Sequence, residues 1–104
     1  MICRYWRGVV RPDCAGAYVE HLHGRTFPQL GRIPGFRGVS LMQRTVSRGV
    51  EFVVQTKWIS LEAIVAFAGQ DAEVAVVPEE ARQLMVEYDD RARHYEVVTQ
   101  GDEI

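Results

Sequence analysis

Lysine is nearly absent from this chain. Lys57 is the only one, and the other eleven of the twelve basic residues are arginines. They are scattered among fourteen acids, leaving a formal net charge of -2. A nucleic-acid-binding domain usually shows a basic stripe and a membrane-surface segment a basic cluster. Neither is present, so neither nucleic acid nor membrane is expected as a partner. Cysteine is scarce too, limited to Cys3 and Cys14. Two thiols do not make the disulfide framework of a small secreted domain, and a Cys3–Cys14 bridge is not expected. No apolar run approaches the ~20 residues that cross a bilayer. The stretch MICRYWRGVV carries charge where a secretory leader would be apolar. Together these features predict a cytoplasmic protein. The three histidines, His21, His23 and His94, follow no zinc spacing, so no metal is expected.

What is present is an ordinary globular balance, 47% hydrophobic and 25% charged over 104 residues. That length suits one domain, read here as residues 1–99 followed by a polar tail from Gln100 to Ile104. Its core will be thin, because a chain this short buries only about two-thirds of its unfolded surface.

Ile2–Val10 is rich in β-branched and aromatic residues and reads as a strand. Pro12 and Asp13 open a helix, since proline suits its first turn and an acid suits the positive end of its dipole. Ala15, Tyr18, Val19, Leu22 and Thr26 fall on its buried face, with Glu20, His21 and Arg25 off it. Two prolines and two glycines between Pro28 and Gly35 end or bend it. Phe36–Val46 and Val50–Ile59 form a hairpin about Ser47-Arg48-Gly49. In the second of these strands Phe52, Val54, Thr56 and Trp58 alternate with Glu51, Val53, Gln55 and Lys57. Ser60 caps a second helix with Leu61, Ile64, Val65 and Ala68 as its stripe, and Gly69 ends it. A short helix is expected from Pro78 to about Met85, and a last strand from Arg91 to Thr99.

This order, β-α-β twice over, predicts an α+β fold of the ferredoxin-like kind: a four-stranded antiparallel sheet with both helices on one face. Large groups are expected on both sheet faces, Tyr5 and Val9 against Ile2 and Trp6, and Phe36 and Met42 against Val39 and Leu41. An uncovered greasy face favours packing on a second sheet, so a homodimer is expected.

Five segments, in order, carry a resemblance: WRG at Trp6–Gly8, PGFRG at Pro34–Gly38, EFVVQTKW at Glu51–Trp58, SLEAIVAFAG at Ser60–Gly69 and HYEVV at His94–Val98. Together the chain resembles the antibiotic biosynthesis monooxygenase-like family of dimeric α+β barrels. The resemblance implies a pocket between sheet and helices, and sheets paired across a dimer. Some members oxidise quinol-like aromatics with molecular oxygen and neither metal nor flavin; others open haem; others have no known substrate. The haem-degrading branch uses a strand-one Asn, which falls at or beside Trp6 here. It also uses a His after the second helix, and Asp71–Arg82 has none.

The expectation is therefore a monooxygenase-like oxidoreductase that needs no cofactor and acts on a small aromatic or quinol-like molecule. The alternative is a non-catalytic, ligand-binding or stress-related dimer of the same fold; a proton-transfer activity such as isomerisation or decarboxylation is a third reading. His94 is the candidate general base, because a group titrating near neutrality can take a phenolic proton. Its bland reading is a strand residue paired with Glu96 or Asp90. Trp6, Tyr5, Phe67 and Trp58, with Phe52, are candidates for an aromatic-lined substrate pocket, or else plain core and interface. His21 and His23, two apart on a helix, point different ways and read as solvated. Cys14, in the first helical turn, reads as a reactive thiol or a small residue that fits. One of Arg4, Arg7, Arg37 and Arg44 is a candidate to hold an anionic oxygen in the pocket. Gly31, Gly35 and Gly38 lack the Lys-Ser/Thr of a phosphate loop and read as turn glycines.

Overall fold

The protein, seen in a computed structural model that describes residues 1–101, is an α+β fold with a single antiparallel sheet. Of the expected polar tail, residues 102–104 lie outside the described residues. Strands β1 (Ile2–Val10), β2 (Phe36–Val46) and β3 (Gly49–Trp58) form the continuous part of the sheet, ordered β2-β3-β1. The free edge of β1 takes two short strands end to end. β5 (Arg93–Glu96) pairs with Ile2–Tyr5, and β4 (Met85–Tyr88) with Gly8–Val10. The expected single strand from Arg91 to Thr99 is thus shorter, and Met85 starts a strand in place of the expected helix end. The helix α4 there covers only Glu79–Arg82.

Between β4 and β5 the chain leaves β1. Ala75 N–H bonds to the Asp90 carbonyl at 2.9 Å and Ala92 N–H to the Glu73 carbonyl at 2.7 Å. These bonds divide the edge strand and tie segment 73–75, which comes after the helix α3 (Leu61–Ala68), to the sheet. The start and stop of α3 are as expected. Ser60 Oγ accepts from Ala63 N–H, and Gly69 adopts φ 95° just past the end.

The first helical stretch departs from expectation. A 3₁₀ turn at Pro12–Cys14 leads, past Cys14 at φ -109° and ψ 1°, into α1 (Ala15–His21), which passes through a π turn (Leu22–Thr26) into α2 (Phe27–Leu30) with helical dihedrals at each junction. Pro28 has no N–H for the carbonyl four residues back. The π turn, closed by Phe27 N–H on the Leu22 carbonyl, widens the helix just before it. The helix therefore runs through Pro28 and brings Leu30 to 2% exposure in the core.

Both helices cover the face that carries Phe52, Val54, Thr56 and Trp58. Cross-strand pairing adds Ile2, Arg4, Trp6 and Gly8 to that face. Two clusters build the core: Val10, Tyr18, Leu22, Phe52 and Ala81 at one end, and Leu30, Trp58, Ala63 and Ile64 at the other. A bulge at Arg37/Gly38 corrects the expected facing of β2. One extra residue there puts Phe36 on the same side as Val39 and Leu41, toward the helices. Gly38 sits at φ 143° in the bulge.

The opposite face is less greasy than expected. Tyr5, Val9, Met42 and Val53 alternate there with Arg7, Arg44, Glu51, Gln55 and Lys57. Glu51 is its anchor: its carboxylate accepts from Arg7 Nε at 2.5 Å and Arg44 Nε at 2.6 Å. Arg48 and Glu87 extend the network with a 2.6 Å contact. Among the described residues no helix is long and apolar enough to cross a membrane.

The two guanidinium groups hold the Glu51 carboxyl down to about 2, against an ordinary value near 4.5. A depressed carboxyl contributes stability above its unfolded pKa, and the contribution is lost as pH falls through the folded one. The melting temperature is therefore expected to drop between pH about 4.5 and about 2. Glu51→Gln is expected to flatten that drop, and parallel melting curves for both proteins across the window would contradict the assignment.

Candidate functional site

A cavity lies where the two core clusters part. Tyr18, Leu22 and Ala81 of one cluster and Leu30 of the other line it, over a floor of Arg4, Trp6, Val54 and Thr56. Phe67 of α3 and the segment Val76–Pro78 complete the wall. Its volume is about 70 Å³ and one side is open. This is about half the ~150 Å³ of an engineered apolar cavity that binds benzene. A ring must therefore enter by the open side or displace part of the wall.

The first helix supplies the polar wall. Tyr18, His21 and Leu22 stand at i, i+3 and i+4 and share a face. The π turn then brings Thr26 beneath His21, five residues on, with Oγ1 3.4 Å from Nε2. Tyr18 is 3% exposed and meets Phe52 edge-on at 4.9 Å between ring centroids. Burial pushes its phenol well above the usual range, so it stays a neutral O–H.

Trp6 and Phe67, both proposed from sequence, stand on the wall. Trp6 Nε1 donates to the Asp89 carbonyl at 2.8 Å. Its ring lies across Gly8, where a Cβ would come within 2.6 Å of Cη2. Glycine at position 8 is what lets the indole lie flat along β1. Trp58 is fully buried behind the wall. It stacks on Phe67 at 5.8 Å and donates from Nε1 to Thr56 Oγ1 at 2.8 Å, so it braces two lining residues without lining the cavity itself. Tyr5 lies on the opposite sheet face, beneath the Arg93 guanidinium at 5.3 Å. The period of two explains this, since Tyr5 falls between the inward Arg4 and Trp6.

His94 also stands off the wall. It pairs with Arg4 across β1 and β5 and shares its face. Its Nε2 is 2.8 Å from Arg4 Nη1. A guanidinium only donates, so Nε2 accepts and the ring is neutral, with its proton on Nδ1. The ring nitrogen a substrate would need is thus occupied by Arg4.

Arg4 is the group the sequence could not single out. It is 5% exposed. Besides His94, Nη1 donates to the Ala72 carbonyl, and Nη2 to the Val74 carbonyl at 2.9 Å. Its Cζ sits 5.6 Å from the Phe67 ring centroid. Burial draws its pKa down to about 10, with Glu73 opposing. Arg7 and Arg44, by contrast, are taken up by Glu51 on the far face. His21, expected in solvent, lies on the cavity wall. The signal for this is its spacing of three from the inward Tyr18. Cys3 and Cys14 are free thiols outside the cavity wall.

Burial and the Arg4 charge lower the His94 pKa below its ordinary 6.5, against a smaller pull from Glu73. The neutral ring is the folded form, so its contribution to stability is full above 6.5 and is lost as pH falls from there through the lowered pKa. In a ¹H–¹⁵N titration of the imidazole, a midpoint below 6.5 is expected, with Nε2 unprotonated at neutral pH. Arg4→Gln should raise the midpoint; one that stays put would remove Arg4 as a cause.

No protein-family profile matches this sequence, and no curated protein matches it significantly. Solved structures do match. A candidate antibiotic biosynthesis monooxygenase from Bacillus cereus superposes with TM-score 0.65 at 18% identity, covering 100% of this chain and 97% of that one. The heme-degrader MhuD (Rv3592) from Mycobacterium tuberculosis, with two hemes bound in its active site, superposes with TM-score 0.62 at 25% identity, covering 97% and 99%. A monooxygenase from the gene ActVA-Orf6 of Streptomyces coelicolor, in complex with nanaomycin D, gives 0.61 at 19% identity, covering 99% and 90%. The resemblance read from the sequence is thus met in the structure: over its whole described length the chain has the fold of the antibiotic biosynthesis monooxygenase-like proteins.

Proposed function

We propose that the protein is a monooxygenase-type oxidoreductase that binds a small aromatic, quinol-like compound in this cavity and reacts it with molecular oxygen without an added cofactor. The observation that carries the reading is the cavity's composition. Aromatic walls from Trp6, Tyr18 and Phe67 surround one buried guanidinium, with the His21 imidazole on the same wall. The fold is shared with ActVA-Orf6, called a monooxygenase and solved with nanaomycin D, which supports the same class of chemistry.

In this reading His21 takes a proton from an activated ring CH₂ or phenol, and Thr26 steadies its ring. The resulting anion is electron-rich, and Arg4 stabilises the charge on its oxygen. The anion reduces oxygen and forms a C–O bond as a peroxide. Return of the proton and loss of water leave a carbonyl, so that CH₂ and O₂ give C=O and H₂O. His94, the base expected from sequence, takes the role of holding Arg4 in place. The shared fold with MhuD does not extend this reading to haem as substrate. Val76, Val77 and Pro78 carry no side chain that can ligate iron, and the cavity would have to open widely.

Oxygen uptake with a panel of anthrones and hydroquinones tests the proposal. Stimulation above the uncatalysed rate is expected, with His21→Gln lowering kcat by about 10²-fold or more. Folded protein that binds these compounds and consumes no oxygen would instead establish the non-catalytic ligand-binding reading.

The working form proposed is a homodimer joined through the open sheet face, where Tyr5, Met42 and Val53 border a shallow hollow around Glu51. Sedimentation at micromolar concentration is expected to give twice the monomer mass, and Met42→Asp to shift it toward one. A stable wild-type monomer would defeat this.

A further inference from the structure

Arg4 is, among the described residues, a buried cation without a counter-ion. Among the described residues no carboxylate oxygen lies within 4.0 Å of it, whereas on the far face of the sheet Arg7 has Glu51, Glu87 and Asp89 within that distance and Arg44 has Glu51. Glu73, the acid whose charge reaches it, is itself about half exposed and lies 3.8 Å from Arg91. The partners of Arg4 are two carbonyls, a neutral imidazole and the face of Phe67. All of these are dipoles or a quadrupole, none a charge. Buried charges in proteins are ordinarily paired, because desolvation is costly.

The donor count shows where a counter-ion fits. A guanidinium has five N–H groups. Ala72 and His94 occupy both on Nη1, and Val74 occupies one on Nη2. Among the described residues Nε–H and the second Nη2–H have no partner. In a guanidinium Nε–H and one of the two Nη2 hydrogens share an edge; with the Val74 carbonyl on the other Nη2 hydrogen, that edge takes a carboxylate side-on through two parallel bonds. Among the described residues no fully buried side-chain nitrogen or oxygen lacks a partner. The unpartnered Nε is therefore still accessible, and Arg4 lines the cavity.

We propose that the cavity is a site for aromatic carboxylates, the carboxylate seated on the Nε/Nη2 edge of Arg4 and the ring held between Trp6 and Phe67. The inference rests on reading this cavity as the substrate site, and it narrows the substrate class to an arene that already bears an acid. The bidentate edge favours a carboxylate over a lone phenolate oxygen, which fills one of the two donors. The Ala72 and Val74 carbonyls and His94 fix the guanidinium plane, so little ordering cost is left for the ligand.

The test compares benzoate with benzamide, its neutral isostere, by NMR titration of the wild-type protein with no turnover. Benzoate is expected to bind about ten- to a hundredfold more tightly, the range for a charge-assisted contact. The Arg4 Nε–H resonance should shift with benzoate and not with benzamide. Arg4→Gln should abolish the preference. Where that variant fails to fold, the wild-type comparison and the Nε–H shift decide alone. Equal binding of the two arenes, binding of neither, or a benzoate preference that leaves the Nε–H resonance unmoved would overturn the proposal. The oxygenase reading fails separately: benzoate bound at Arg4 with no oxygen uptake from any quinol sinks that reading and leaves the anion site standing.

Discussion

One buried guanidinium organises the site. Arg4 reaches from β1 to β5 through His94, to the chain after α3 through the Ala72 and Val74 carbonyls, and to α3 itself through the Phe67 ring. The segment after α3 has little regular structure to satisfy its own backbone, and buried carbonyls need donors. Arg4 supplies two of them, and the pairing of segment 73–75 with 90–92 supplies others. The cavity wall at Val76–Pro78 hangs from this knot. A neutral partner such as Gln would leave carbonyls short of donors, and a Lys would lack the planar fork that serves several acceptors at once.

The cavity owes its existence to a second local event, the π turn. A regular α-helix through Leu22–Thr26 would rotate residues 27–30 by a different angle and meet Pro28 with a missing hydrogen bond. Widening the turn accommodates the proline and sends Leu30 into the far core cluster while Tyr18 and Leu22 stay in the near one. The helix therefore touches the sheet at both ends and stands off it between them. His21 and Thr26 come to that gap, one at each end of the widened turn. Polar groups are tolerable there because the gap is open on one side.

Much of this architecture is legible in the sequence where a period of two or 3.6 runs unbroken. The bounds of β1 and β2, the facing of β3, and the cap and stop of α3 come from alternation, Ser60 and Gly69. Expectation and structure part where one residue shifts a period. The bulge at Arg37/Gly38 inverts Phe36 relative to Val39, and nothing in FRGVS marks which residue is extra. Met85–Tyr88 is too short for its alternation to outweigh the helical residues before it. Arg4 could not be told from Arg7, Arg37 or Arg44, because its role depends on register. Pairing with Thr56 on one side and His94 on the other puts it inward, and only the assembled sheet fixes both. His94 lies on the expected strand, yet its neighbour across the ladder changes it from a free base into an acceptor.

The two faces of the sheet divide charge in opposite ways, and this bears on how such a thin domain can hold a reactive site. On the open face Arg7 and Arg44 find a carboxylate in the shared Glu51, so positive charge there is neutralised locally near solvent. On the covered face the partners of Arg4 among the described residues are carbonyl and imidazole dipoles and the Phe67 ring face. Dipoles fixed by a folded backbone cannot reorient to neutralise it, so its field persists in the cavity, where low polarity makes it stronger than at the surface. The open face can tolerate losing an ion pair to water; the covered face cannot replace Arg4 by water alone. The same strand, β1, presents both situations through alternate faces, Arg7 outward and Arg4 inward. Structure on one side and chemistry on the other thus come from a single alternation, and the side whose buried cation has no carboxylate within 4.0 Å among the described residues is the side where an anion gains most by binding.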